Sequence, residues 1–107
     1  MMFEVEIELN GKAETLKPSL RAGKVINNAF GNYVDALRQL HIYDHSAYSV
    51  IVAAALGKKP ADVEEAVFAT GLNKLSVPLA LFVNSLACGG RDPAELERTE
   101  DAAPGKP

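Results

Sequence analysis

Odd positions from Phe3 to Leu9 are Phe, Val, Ile and Leu, and the even positions between them are Glu4, Glu6 and Glu8. That period of two predicts a strand with one face in a core and the other in water. Asn10-Gly11 follows, the dipeptide that most readily takes the positive φ angles of a type I′ turn. Lys12 to Lys17 then predicts a shorter return strand, which Pro18 stops. Two strands alone are marginal in water, so their apolar face needs helices to lie on, or their free edge needs another chain.

After Pro18 the spacing changes to three and four. Ser19 is the expected N-cap of a helix whose Ala22, Val25, Ile26, Ala29 and Phe30 form one buried face, ended by Gly31. Asn32 caps a second helix from Tyr33 to about Leu40, with Val34, Leu37 and Leu40 inward. Asp44 caps a third, which closes at Gly57 with Lys58 and Lys59 where cations suit the negative end of the helix dipole. Pro60 restarts the chain, and Asp62 with Glu65 resembles a capping box. The fourth helix then offers Val63, Ala66, Val67 and Phe68 to the core and runs to Thr70 before Gly71. Proline is tolerated in the first turn of a helix and disruptive further in, so Pro78 places the start of the fifth helix at Ser76; Gly89-Gly90 stops it.

The predicted fold is α+β and mainly helical: a β-hairpin over residues 3–17, then a bundle of about five short helices over residues 19–90, in one domain spanning 1–90. Residues 91–107 contain one leucine, no aromatic and five acids against three bases. Such a segment cannot offset the entropy of ordering, so it reads as an acidic disordered tail, with a turn of helix over Pro93 to Arg98.

Two stretches break the amphipathic rule. Ala47 to Leu56 has Ser49 as its only polar residue, and Ser76 to Cys88 is apolar around nearly its whole circumference. Both are too short for a bilayer, which needs roughly 20 apolar residues, so protein must cover them. A chain of 107 residues encloses a limited fraction of its surface and is poorly able to ring two such helices. The surplus is expected as an exposed patch on the last helix, with Val77, Leu79, Phe82, Val83 and Leu86 as partner-binding residues.

Charge and composition narrow the function. A formal net charge of -3 gives no footprint for a polyanion, so nucleic acid is not an expected partner. Cys88 is the sole cysteine, which excludes an intramolecular disulfide and a cysteine metal cluster and fits a reducing compartment. The opening Met-Met-Phe-Glu-Val-Glu lacks the basic start and apolar run of a secretory leader, so the cytoplasm is the expected location. His41 and His45 have a zinc-compatible spacing, but Asp44 as a cap divides them between two helices, and no third ligand stands near. Gly57-Lys58-Lys59 and Gly89-Gly90-Arg91 read as helix ends rather than phosphate cradles, since neither joins a strand to a helix. No catalytic constellation is readable, and no enzyme activity, metal or cofactor is expected.

The strand pair from Phe3 through Thr15-Leu16-Lys17-Pro18-Ser19, followed by helices ending near Gly31, Gly57, Gly71 and Gly89, resembles the tail assembly chaperone family of gene transfer agents and related tailed phages. The resemblance covers roughly Phe3 to Gly90, with Leu16-Lys17-Pro18-Ser19 and the Gly71-Leu72 junction as its clearest points. It implies a non-enzymatic factor in the bacterial cytoplasm that binds the helical tape measure protein, keeps it soluble while the tail tube polymerises, and is absent from the mature particle. It supplies no binding residues, so those on the last helix rest on hydrophobicity alone. Association of copies with one another is a further expectation. Two other readings stay open: a structural head or tail completion protein, and a small helical DNA-binding regulator, against which the acidic balance speaks.

Overall fold

The structure, a computed structural model, describes residues 2–94. Strands β1 (Val5–Leu9) and β2 (Lys12–Leu16) form an antiparallel pair, and α1 (Leu20–Phe30), α2 (Tyr33–His41), α3 (His45–Leu56), α4 (Pro60–Thr70) and α5 (Leu72–Ala87) follow. The expected α+β, mainly helical architecture is therefore the one observed. Of the tail expected at 91–107, residues 91–94 are described, with Pro93 and Ala94 helical, and 95–107 lie outside the described residues.

Local chemistry accounts for most boundaries. Asn10 and Gly11 take φ of 54° and 84°, the two positive values of a type I′ turn, and Val5, Ile7 and Leu9 alternate inward against exposed Glu6 and Glu8. The side chains of Ser19, Asn32 and Asp44 accept from the amides of Ala22, Asp35 and Ser46 respectively, so three helices start where their caps predict. Gly57 in the left-handed region ends α3, and the Arg21 guanidinium reaches across from α1 to the Ala54 carbonyl at 3.1 Å. A cation from a neighbouring helix thus satisfies part of the negative end of α3.

Two helix starts differ from expectation. α4 begins at Pro60 with Lys59 as its cap residue and no capping side chain, so Asp62 lies in the first turn and not at the N-cap. Proline at the first helical position has its φ preset and no amide to satisfy, which makes an earlier start inexpensive. α5 begins at Leu72, and Pro78 lies inside it. The reason is tertiary: only Gly71, at φ 101°, separates α4 from α5, and the turn that follows carries Leu75 into the core with Leu72 packed against it. Burying Leu75 and half-burying Leu72 offsets the helical hydrogen bond and the ring clash that Pro78 costs the helix.

α3 is the axis of the molecule. It packs on α1, α2, α4, α5 and β2, most extensively on α4, and buries Ala47, Tyr48, Ser49, Ile51, Val52, Ala53 and Ala54. Around it stand Leu16, Ile26, Leu40, Val63, Val67, Leu79 and Phe82. The buried stripes of the outer helices are narrower than their apolar content: Val25, Val34 and Phe68, expected inward, are exposed, and Ala29 with them. On α4, for example, Val63 and Val67 are one turn apart on the core side, which turns Phe68 outward.

Candidate interaction surface

The last helix divides its apolar residues between two roles. Leu79, Phe82 and Val83 have no exposed surface and belong to the core. Leu86 is half-buried against the core, and Val77 alone among the five expected partner-binding residues stands out, 68 % exposed. The expectation that Leu79, Phe82 and Val83 form a surface is thereby corrected. The hairpin and α2 close over that side of α5, and a helix whose mean hydropathy is high on every side carries no sign of which side will be covered.

One turn beyond Val77, Leu81 is also exposed, at 41 %, and the two form the outer stripe of α5. The end of α2 approaches α5 through Tyr48 and Ser76. The Tyr48 hydroxyl donates to the Leu40 carbonyl at 2.6 Å, and the Ser76 hydroxyl lies next to the same phenol. Burial pushes the Tyr48 phenol above the usual tyrosine range, with Ser76 acting in the opposite direction and Tyr43 adding to the rise. Ile42 and Tyr43 in the α2–α3 turn are 60 % and 53 % exposed.

Tyr43 has φ 60°, a left-handed conformation in which an aromatic residue is strained. The amides of Tyr43 and Asp44 reach back to the carbonyls of Leu40 and Gln39, so the turn is a helix stop of the kind that normally uses glycine. The tyrosine is held there by its ring, stacked at 6.4 Å and 24° on Tyr48. Asp44, the next residue, starts α3 with its own carboxylate. A short segment thus ends one helix, begins another and presents two large apolar side chains to solvent.

α2 runs antiparallel to α5. Leu40 and Ser76 meet through Tyr48 at one end, while at the other Tyr33 and Leu86 line a single cavity of about 300 Å³ together with Met2, Pro18 and Leu20. Val34, at that second end, is exposed, as are Met2 and Leu20 at the cavity itself. The exposed large apolar side chains of α2, the α2–α3 turn and α5 are Val34, Ile42, Tyr43, Val77 and Leu81. Of these, Ile42 and Tyr43 carried no sequence signal as surface groups, since they sit between helices. Leu81 was recoverable from its spacing to Val77.

Other chemical candidates do not assemble. His41 ends α2 and is exposed; His45 starts α3 and packs edge-on against Phe68 at 5.9 Å. Among the described residues no three His, Cys, Asp or Glu side chains converge as a metal site. Cys88 is a free, half-buried thiol at the end of α5. No helix among the described residues is long and apolar enough to cross a membrane. Comparison of the chain with models of known protein families, with curated proteins and with solved structures finds no match.

Proposed function

We propose that this chain is a non-enzymatic assembly chaperone of the phage or gene-transfer-agent tail type, and that it shields an apolar stretch of a helical tape measure protein. The observation that carries the reading is the exposed apolar stripe of α5, Val77 and Leu81 one turn apart, together with exposed Val34, Ile42 and Tyr43 on α2 and the turn after it. A helix laid along that stripe would place apolar anchors at three-and-four spacing over its residues. Buried Leu79, Phe82 and Val83 act from beneath by holding α5 in place.

The test is co-expression with the tape measure chain of the same tail gene cluster. The wild-type chain is expected to co-purify with it and raise its soluble yield. Val77→Asp combined with Leu81→Asp is expected to abolish both effects while the chain still folds. Retention of the partner by that variant would remove this surface from the reading. Recovery of the chain in purified particles would favour a completion protein, since a chaperone leaves before the particle matures.

A further inference from the structure

β1 has one edge paired with β2 and one open edge, and the outer edge of β2 is open as well. With a two-residue turn at Asn10-Gly11 and pairs Leu9↔Lys12, Ile7↔Glu14 and Val5↔Leu16, the odd residues of β1 exchange hydrogen bonds with β2. The backbone groups of Glu6 and Glu8 consequently point away from β2. Asn10 is next in that outward series, and its amide donates to Thr70 Oγ1 at 2.6 Å, which shows that the open edge faces the α4–α5 junction. A groove of about 350 Å³ separates the two, with Glu6 and Glu8 on one side and Ala69, Lys74, Leu75 and Pro78 on the other. Pro78 has no amide to give, so the Lys74 carbonyl on the far wall also lacks its helical donor.

We infer that this edge receives an extended segment of a partner protein as a third strand, with Lys or Arg alternating with apolar residues. Backbone pairing to Glu6 and Glu8 supplies the attachment, as in other strand-addition complexes. Side chains on the outer face of the added strand come to lie opposite Glu4, Glu6 and Glu8, which are exposed. The ion pairs among the described residues are Lys12–Glu14 and Arg38–Asp35, so these three carboxylates have no cation of their own there. The inward side chains of the strand meet Ala69, Leu75 and Pro78 and need to be apolar. Lys74 on that wall disfavours a uniformly basic peptide, which makes alternation the requirement. A second copy of this chain is the wrong occupant, because pairing β1 with β1 sets glutamate against glutamate. The inference is independent of the helical partner proposed for α2 and α5.

The experiment uses the full chain labelled with ¹⁵N and the peptide Thr-Lys-Val-Lys-Val-Lys-Thr. Titration is expected to shift the Glu6 and Glu8 amides and slow their hydrogen exchange, with little change at Val77. The Glu6→Lys, Glu8→Lys double variant is expected to weaken this peptide about tenfold and to gain affinity for the counterpart carrying Glu in place of Lys. Both positions are exposed, and the pair Glu6→Gln, Glu8→Gln gives a smaller loss in the same direction should the lysine variant fail to fold. Equal binding of a peptide N-methylated at its lysines, whose amides are the ones that would face Glu6 and Glu8, would overturn the inference, because charge alone would then suffice. So would shifts confined to other residues, or concentration-dependent protection of the Glu6 and Glu8 amides in the free chain, which would assign the edge to a second copy.

Discussion

α3 and α5 look alike in sequence, each apolar on nearly every side, yet the fold treats them differently. α3 is ringed by four helices and a strand, and its residues from Ala47 to Ala54 are buried apart from half-buried Val50. α5 has the hairpin, α2 and α3 on one side and leaves Val77 and Leu81 bare on the other. All-round hydrophobicity therefore reports either a central helix or one that covers a core while offering a face to a partner. Position among neighbours separates the two.

The contrast within α5 is sharpest between Phe82 and Val77. Phe82→Asp puts a carboxylate among fully buried side chains and is expected to cost about 4 kcal/mol or more, enough to unfold a small domain, as read by circular dichroism at 25 °C. If that variant keeps its melting curve, the inner face of α5 is not core. On α3, Ala53 is 1 % exposed within the core, and Ala53→Leu is expected to lose about 1–3 kcal/mol by overpacking, measured in urea. Tolerance there would mean that the ring around α3 is looser than the packing shows.

Smaller effects refine the picture. Tyr48→Phe removes the hydrogen bond to the Leu40 carbonyl and is expected to cost about 1 kcal/mol near neutral pH. The wild-type phenol titrates higher in the folded state than in the unfolded chain, so folding favours its protonated form. That contribution is complete below about pH 10, where free tyrosine ionises, and is lost as pH climbs through and beyond that value. Stability of the wild type should therefore fall more steeply in alkaline urea titrations than that of Tyr48→Phe.

Ser49 is 3 % exposed, and its hydroxyl has no hydrogen-bond partner among the described residues, so Ser49→Ala is expected to leave stability unchanged or raise it by up to about 1 kcal/mol. A large loss would reveal a partner for that hydroxyl. Val77→Asp on the outer face of α5 is expected to change stability by less than about 0.5 kcal/mol while abolishing capture of the helical partner.

Much of this fold is legible without coordinates, because the signals are local. The alternation Val5, Ile7, Leu9 against Glu6 and Glu8 defines β1, and Ser19, Asn32 and Asp44 mark their helix starts by accepting the first free amides. The start of α5 was not legible, since the proline rule weighs Pro78 against its own helix and takes no account of Leu75 reaching the core across the Gly71 junction. The candidate surface was half legible. Val77 was named on hydrophobicity, whereas Leu79, Phe82 and Val83 shared the same property and are enclosed.

The amino-acid order by itself determined the hairpin, the number of helices, most of their caps and the absence of a strong moment on the two oily ones, because turn angles, capping hydrogen bonds and periodicity act within a few residues. Only the tertiary structure decided that α3 is the axis, that α5 keeps a bare outer stripe at Val77 and Leu81, and that the open edge of β1 faces a groove. Those outcomes depend on which elements arrive to cover a given face. Burial is set by neighbours distant in the chain, and hydrophobicity alone does not name them.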